Sequence, residues 1–431
     1  MSGYENYTLS PVPWIKQMPE HWGLVRGKNL YQKMQRPTSD TDEVVTCFRD
    51  GTVTLRKNRR TTGFTESLKE IGYQGIRKGD LVIHVMDAFA GSIGVSDSDG
   101  KGTPVYSVCQ AKGNSNNQYY ALLLREMARS GYIQSLYRGI RERSSDFRFE
   151  VFAAQFYPVP PREEQDQIVR FLDWKVSSIN RLINIKQEQL RKVKELLDRL
   201  FRDTTSKCSK KVKIKYLFEL DDDFFVPVAS ESYAKAGMYN RGRGIFLREP
   251  CLSNELGDSQ FQHIHSDRLM LSGQFAWEDA VYITQEKDTH GIASHRYYLL
   301  KPVRYIPVEY LWLYFLSGEG FFNLQQCSHG SAGRNRPLNI KEVLNLELPV
   351  PDDKEKANAL NELVRDYMRL QVITEEEKKA LLDFKTHLVA DIVTGKIDVR
   401  GIDIPEYEFV DEDTDADNED DGEEDTEEQE D

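Results

Sequence analysis

Residues 158–201 read PVPPREEQDQIVRFLDWKVSSINRLINIKQEQLRKVKELLDRLF, and residues 349–392 read PVPDDKEKANALNELVRDYMRLQVITEEEKKALLDFKTHLVADI. Both stretches open on Pro-Val-Pro and then carry apolar side chains at steps of three and four. In the first these are Val169, Leu172, Val176, Ile179, Ile183, Leu190, Val193, Leu197 and Leu200, with Lys186 interrupting. In the second they are Leu360, Leu363, Tyr367 and Leu370, then Thr374 and Glu377 at a weak centre, then Leu381, Phe384 and Leu388. This spacing predicts two long helices with a coiled-coil seam, each starting after its prolines. The first would run about 50 Å between residues 168 and 201 at 1.5 Å per residue. A lone helix with such a stripe leaves an apolar band in water, so the two copies are expected to bury each other as an antiparallel pair, with a globular domain at either end. The alternative packs each helix only on its own domain.

The two stretches belong to a longer repeat. From Tyr119 onward the chain overlays on Tyr310 onward without a gap, at a constant offset of 191 residues. Leu122 falls on Leu313, Gln134 on Gln325, Gly139 on Gly330, Arg143 on Arg334 and Glu164 on Glu355. Upstream the offset drifts: Leu24–Tyr31 matches Lys211–Phe218 at 187, and Leu81, Val82 and Ile83 match Leu269, Met270 and Leu271 at 188. Solenoid units run about 20 to 50 residues, so a period this long is one whole module used twice. Glycines and prolines between short apolar runs in each front part predict a compact mixed α/β domain.

The formal net charge of −13 seems to argue against a nucleic-acid partner, but residues 411–431 hold fifteen Asp and Glu and no Lys or Arg. Removing those fifteen from the 70 acids leaves 55 against 57 basic side chains in residues 1–410. The body is therefore close to neutral and has room for basic surfaces, while the acidic run reads as a disordered tail. The five cysteines are scattered without ligand spacing, as expected of reduced thiols in a cytoplasmic protein. No apolar run reaches the roughly 18 residues of a membrane span, and no signal peptide is evident.

Catalytic motifs are missing where they would be sought. There is no GxxxxGK[ST] phosphate loop, and Phe89-Ala90-Gly91-Ser92-Ile93-Gly94 fits neither GxGxxG nor a methyltransferase glycine loop. His263 and His265 have no third ligand nearby, so no metal site is expected. Basic and polar clusters, by contrast, recur at equivalent places. Arg138, Arg141, Arg143, Ser144 and Arg148 in the first copy face His329, Arg334, Asn335 and Arg336 in the second. Arg56, Lys57, Arg59 and Arg60, and Arg241 with Arg243, are further candidates. Arginine beside glycine approaches phosphates closely, and Arg or Asn forks read base edges, so these residues are candidate DNA contacts. Solvated surface charge is the alternative for each cluster.

Three short motifs carry a family resemblance: Pro13-Trp14-Ile15 with Pro19-Glu20-His21-Trp22; the Pro-Pro-x-x-Glu-Gln-x-x-Ile run from Pro160 to Ile168; and Thr394-Gly395-Lys396-Ile397-Asp398-Val399-Arg400. In this order, with the repeat, the chain resembles the specificity subunit of Type I restriction-modification enzymes. The resemblance implies an α/β fold of two target-recognition domains, residues 1–160 and 206–351, joined by two long antiparallel spacer helices, residues 161–205 and 352–400, with pseudo-two-fold symmetry; the acidic tail is residues 401–431. It implies a DNA-binding protein without its own active site that reads a bipartite double-stranded site. The helix length would set the gap between the halves. Two methyltransferase subunits using S-adenosylmethionine, and endonuclease-translocase subunits using ATP and Mg²⁺, would be its partners, with no cofactor in this chain. Such a complex would flip out the adenine it methylates and serve phage defence. The second copy departs from the pattern at Pro351-Asp352-Asp353-Lys354-Glu355-Lys356. A coiled-coil scaffold with non-DNA ligands, or a self-contained nuclease or methyltransferase, are the competing classes. The tail either solubilises the chain or imitates DNA at the basic surfaces.

Overall fold

The computed structural model describes residues 2–59, 71–136, 146–206, 208–240, 242–257, 259–330, 336–351 and 354–411. The acidic run beyond residue 411 lies outside them. The chain divides into two compact units, one holding residues 2–183 and 378–411 and the other residues 184–377. Each contains one mixed α/β domain and one half of each long helix.

In the first unit the central sheet is antiparallel, in the order Tyr31–Lys33, Tyr106–Ala111, Leu81–His84, Ile93–Val95. The second unit repeats it as Phe218–Leu220, Tyr297–Pro302, Leu269–Ser272, Val281–Ile283. The third strand of each is flanked on both sides and buried on both faces, which is why Leu81-Val82-Ile83 and Leu269-Met270-Leu271 are unbroken apolar runs rather than alternating ones. Helix Asn117–Arg129 packs on the first sheet, its N-terminus capped by Asn116, whose side chain accepts from the Gln118 and Tyr119 amides. Helix Val308–Leu316 takes the same place in the second unit.

The units differ where the offset drifts. The first has two small ladders, Val45–Cys47 with Val53–Leu55 and Gln74–Ile76 with Gly100–Gly102. The second instead builds a larger sheet around Ser232–Met238, which pairs with Ile245–Leu247, Cys251–Leu252 and, in parallel, Gly291–Ser294. Insertions of this kind leave the central sheet unchanged.

The long helices are Arg162–Thr205 and Lys354–Val393. Within each unit they run antiparallel. In the first, Leu172, Ile179 and Ile183 share a core with Leu388 and Ile392; in the second, Leu197 and Phe201 share one with Leu360, Val364 and Tyr367. Each pair also packs on its own domain, but neither helix packs on its domain alone. Val169 and Leu172 are buried, and Val176, Leu190 and Val193 are half-buried along the same stripe.

The second seam is corrected. Leu360, Tyr367, Leu381 and Leu388 face inward, but Leu363, Leu370 and Phe384 are 45%, 38% and 52% exposed. The inward positions between them are Val364, Gln371, Lys378 and Lys385, one residue later than the expected seam in each case. In this rotation Gln371 donates to the Gly242 carbonyl at 2.8 Å and Val364 is buried in place of Leu363. The weak centres are also explained: Lys186 and Glu377, equivalent positions of the repeat, bind each other at 2.6 Å.

The second helix ends at Val393 rather than continuing to residue 400. Gly395 has φ +79°, and a side chain there would strike Pro19 and Trp22. The Lys396 carbonyl then accepts from Tyr7 Oη, and the Asp398 amide donates to the Ser2 carbonyl. Glu164 completes this junction, accepting from Tyr4 Oη at 2.6 Å and Trp22 Nε1 at 2.9 Å, with His21 Nε2 at 2.8 Å. The three motifs quoted from sequence therefore meet at one place.

Candidate nucleic-acid interface

The Arg-rich segments of both units spring from the same part of the fold. In the first, the Phe147 amide donates to the Val85 carbonyl; in the second, the Leu338 amide donates to the Gly273 carbonyl. These bonds are equivalent in the repeat and tie the residues that follow segments 137–145 and 331–335 to the turn after the third sheet strand. Arg138, Arg141, Arg143, Ser144, Arg334 and Asn335 are on these loops and lie outside the described residues, as do Arg60 and Arg241.

The described candidates sit as follows. Arg148 flanks the first loop, exposed, with its guanidinium 2.6 Å from Asp146; that carboxylate raises its pKa. Arg336 flanks the second loop and lies over the Trp277 ring at 4.6 Å. His329 is held by Glu342 at 2.8 Å. Arg243 donates to Asn240 at 2.7 Å and covers the Tyr239 ring. Arg56 lies 3.3 Å from the Thr46 hydroxyl, and Lys57 pairs with Glu43 at 2.5 Å. Arg59 binds Asp50 and lies over Phe48. Burial pushes the Asp50 carboxyl up, but the Thr52 amide and Arg59 outweigh it and hold its pKa below the ordinary value.

In the second unit two clusters distant in sequence converge. Asn240 donates to Glu278 at 2.9 Å, the Gly242 amide donates to the Asp279 carbonyl, and Arg336 stacks on Trp277, so the Arg243 and Arg336 segments share the turn at residues 276–279. In the first unit the equivalent turn, residues 88–91, is met by Arg49, which pairs with Asp87 at 3.2 Å. Arg49 and Trp277 are absent from the sequence-based set. An aromatic kept at the same repeat position, Phe89 and Trp277, was the available signal. The Arg56 to Arg59 group begins on a short 3-10 turn, Arg56–Asn58, after the small hairpin.

The two histidines have ordinary partners: His263 stacks on Phe225 and His265 binds Asp223 at 2.9 Å. Among the described residues no His, Cys, Asp and Glu side chains cluster as a metal site, and no helix is long and apolar enough to cross a membrane.

No protein-family model matches the chain, and no curated protein does. Solved structures do match. A chain from work on complex assembly and conformational transition of the type I R-M system aligns over 91% of this chain and 100% of its own, with TM-score 0.55 and 12% identity. The HsdS subunit from Thermoanaerobacter tengcongensis aligns over 88% and 98%, with TM-score 0.43 and 12% identity. The S subunit of the Type I restriction-modification system from M. genitalium aligns over 91% and 99%, with TM-score 0.45 and 12% identity. The chain thus shares its fold with a chain solved from a type I R-M system.

Proposed function

We propose that this chain is the DNA-recognition subunit of a Type I restriction-modification complex and reads a bipartite duplex site, one half per unit. The observation that carries this reading is that the described residues following the Arg-bearing segments 137–145 and 331–335 are anchored at equivalent points of two copies of one fold, Phe147 on Val85 and Leu338 on Gly273. The different side chains of the two segments would supply different base choices. The partners are two methyltransferase subunits and endonuclease-translocase subunits, and S-adenosylmethionine, ATP and Mg²⁺ belong to them. An exposed apolar row on the second long helix, Leu363, Leu370 and Ile373, supports protein docking there.

The test uses the assembled complex on duplexes carrying both halves, one half or neither, across a salt series. Arg143→Ala is expected to lose selectivity for one half and Arg334→Ala for the other, by about 1–3 kcal/mol each. Uniform weakening on all duplexes would reduce these arginines to phosphate contacts. Binding that ignores both sequence and salt would sink the DNA reading and leave a protein scaffold.

A further inference from the structure

Equivalent positions on the two long helices hold different groups in the two units. In the second unit Gln371 Nε2 donates to the Gly242 carbonyl at 2.8 Å, and Lys194 Nζ binds Asp279 Oδ2 at 3.1 Å. Gly242 and Asp279 belong to the α/β domain and are bonded to each other through the backbone. One lysine and one side-chain amide thus latch that domain to the helices. Burial raises the Asp279 carboxyl pKa, which Lys194 partly offsets.

Subtracting or adding 191 gives the equivalents in the first unit, Asn180 and Lys385. Lys385 Nζ is 3.4 Å from Asn180 Oδ1, and Asn180 Nδ2 donates at 3.1 Å to the carbonyl of Val410. Ser177 Oγ donates to the Glu408 carbonyl at 3.0 Å and accepts from the Val410 amide at 2.8 Å. Gln167 Nε2 donates to the Ile402 carbonyl at 2.7 Å, and Ile402 and Ile404 pack on the core between these anchors. Ser177 and Asn180 are buried beneath the segment. The domain's own turn offers no equivalent carboxylate, because Gly91 stands where the second unit has Asp279.

We propose that residues 402–411 are a strap that fills, on the first unit's helices, the seat that the second unit gives to its recognition domain. Among the described residues, Lys194 and Gln371 latch the second domain to the helices at this seat, whereas Asn180 and Ser177 hold the strap there in the first unit. The strap therefore makes the two halves of a near-symmetric chain mechanically unequal, the first domain being held through its junction at Glu164 and Tyr119 rather than through its turn at residues 88–91. This goes beyond the DNA-recognition reading and does not rest on it.

Hydrogen–deuterium exchange of the free full-length protein tests it without DNA. A chain ending at Asp403 is expected to exchange amides in residues 174–183 at least about tenfold faster than the full chain, with residues 365–374 unchanged as the internal measure of correct folding. A chain ending at Asp411, which keeps the strap and loses the rest of the acidic run, is expected to match the full chain. Asp279→Asn, which tolerates the left-handed backbone at φ +62°, is expected to speed exchange in residues 190–198 and 365–374 alone. Unchanged exchange at 174–183 on removing the strap would overturn the proposal. So would an equal effect of the Asp411 truncation, which would place the protection in the acidic run, or an Asp279→Asn effect spread over both units.

Discussion

Glu164 is 4% exposed and accepts from Tyr4 and Trp22, whereas Glu355, its counterpart 191 residues on, is exposed. The difference follows from what surrounds each. Residues 2–22 supply Tyr4 and Trp22 ahead of the first domain's sheet, whereas only the short link 206–209 separates the first long helix from the second domain's opening strand. Burial and the Glu164 hydrogen bond push the Tyr4 phenol pKa up, so it remains an O–H donor at any ordinary pH. Glu164→Ala leaves two buried donors without their acceptor and is expected to destabilise the first unit by about 3 kcal/mol, more than Glu355→Ala, whose side chain is exposed. Urea unfolding followed through tryptophan fluorescence compares them; equal costs would remove the special role of the N-terminal junction. The departure of the second copy from the Pro-Pro-x-x-Glu-Gln form has the same origin. Gln165 bridges the Asn116 amide and the Pro160 carbonyl in the first unit, and at its place the second copy carries Lys356.

At the scale of elements, the phase of the second helix is the sharpest claim. Leu363 and Val364 are adjacent apolar residues, and a step of three or of four satisfies the heptad pattern equally. Val364 is 0% exposed and Leu363 45%, so Val364→Ala is expected to cost about 2 kcal/mol and Leu363→Ala less than about 0.5 kcal/mol. Thermal unfolding of the two variants decides the phase, and a reversed order would restore the alternative seam. Here the limits of the sequence are physical. Helix existence, length and pairing are legible because a long stripe has to be buried, and the repeat exposes the shared sheet because Leu81-Val82-Ile83 and its counterpart keep their apolar character. The rotation of the second helix is not legible, because Gln371, Lys378 and Lys385 face inward for reasons supplied by distant groups such as the Gly242 carbonyl. At the candidate interface the same holds. Composition marks Arg59 and Arg243 as cationic, but only the fold shows Arg59 engaged by Asp50 and Phe48, and Arg243 by Asn240 and Tyr239.

At the scale of the whole chain, both long helices contribute a half to each unit: residues 162–183 and 378–393 to the first, 184–205 and 354–377 to the second. No other described element does so. On the proposed function, the number of residues in these helices is therefore what measures out the DNA between the half-sites. A seven-residue insertion keeps the alternating three and four spacing of the seam, whereas four or three alone would turn the downstream face away from its partner. Placed in both helices near residues 184 and 377, it adds about 10 Å at 1.5 Å per residue. With base pairs about 3.4 Å apart, the gap in the recognised site is expected to lengthen by about three, while each half-site keeps its sequence. Mapping methylated adenines produced by the assembled complex reads both quantities together. A lengthened gap with unaltered halves assigns spacing to the helices and base choice to the domains. Methylation at the original gap would show that the helices do not set it, and altered half-sites would show that base choice is not confined to the loops each domain carries.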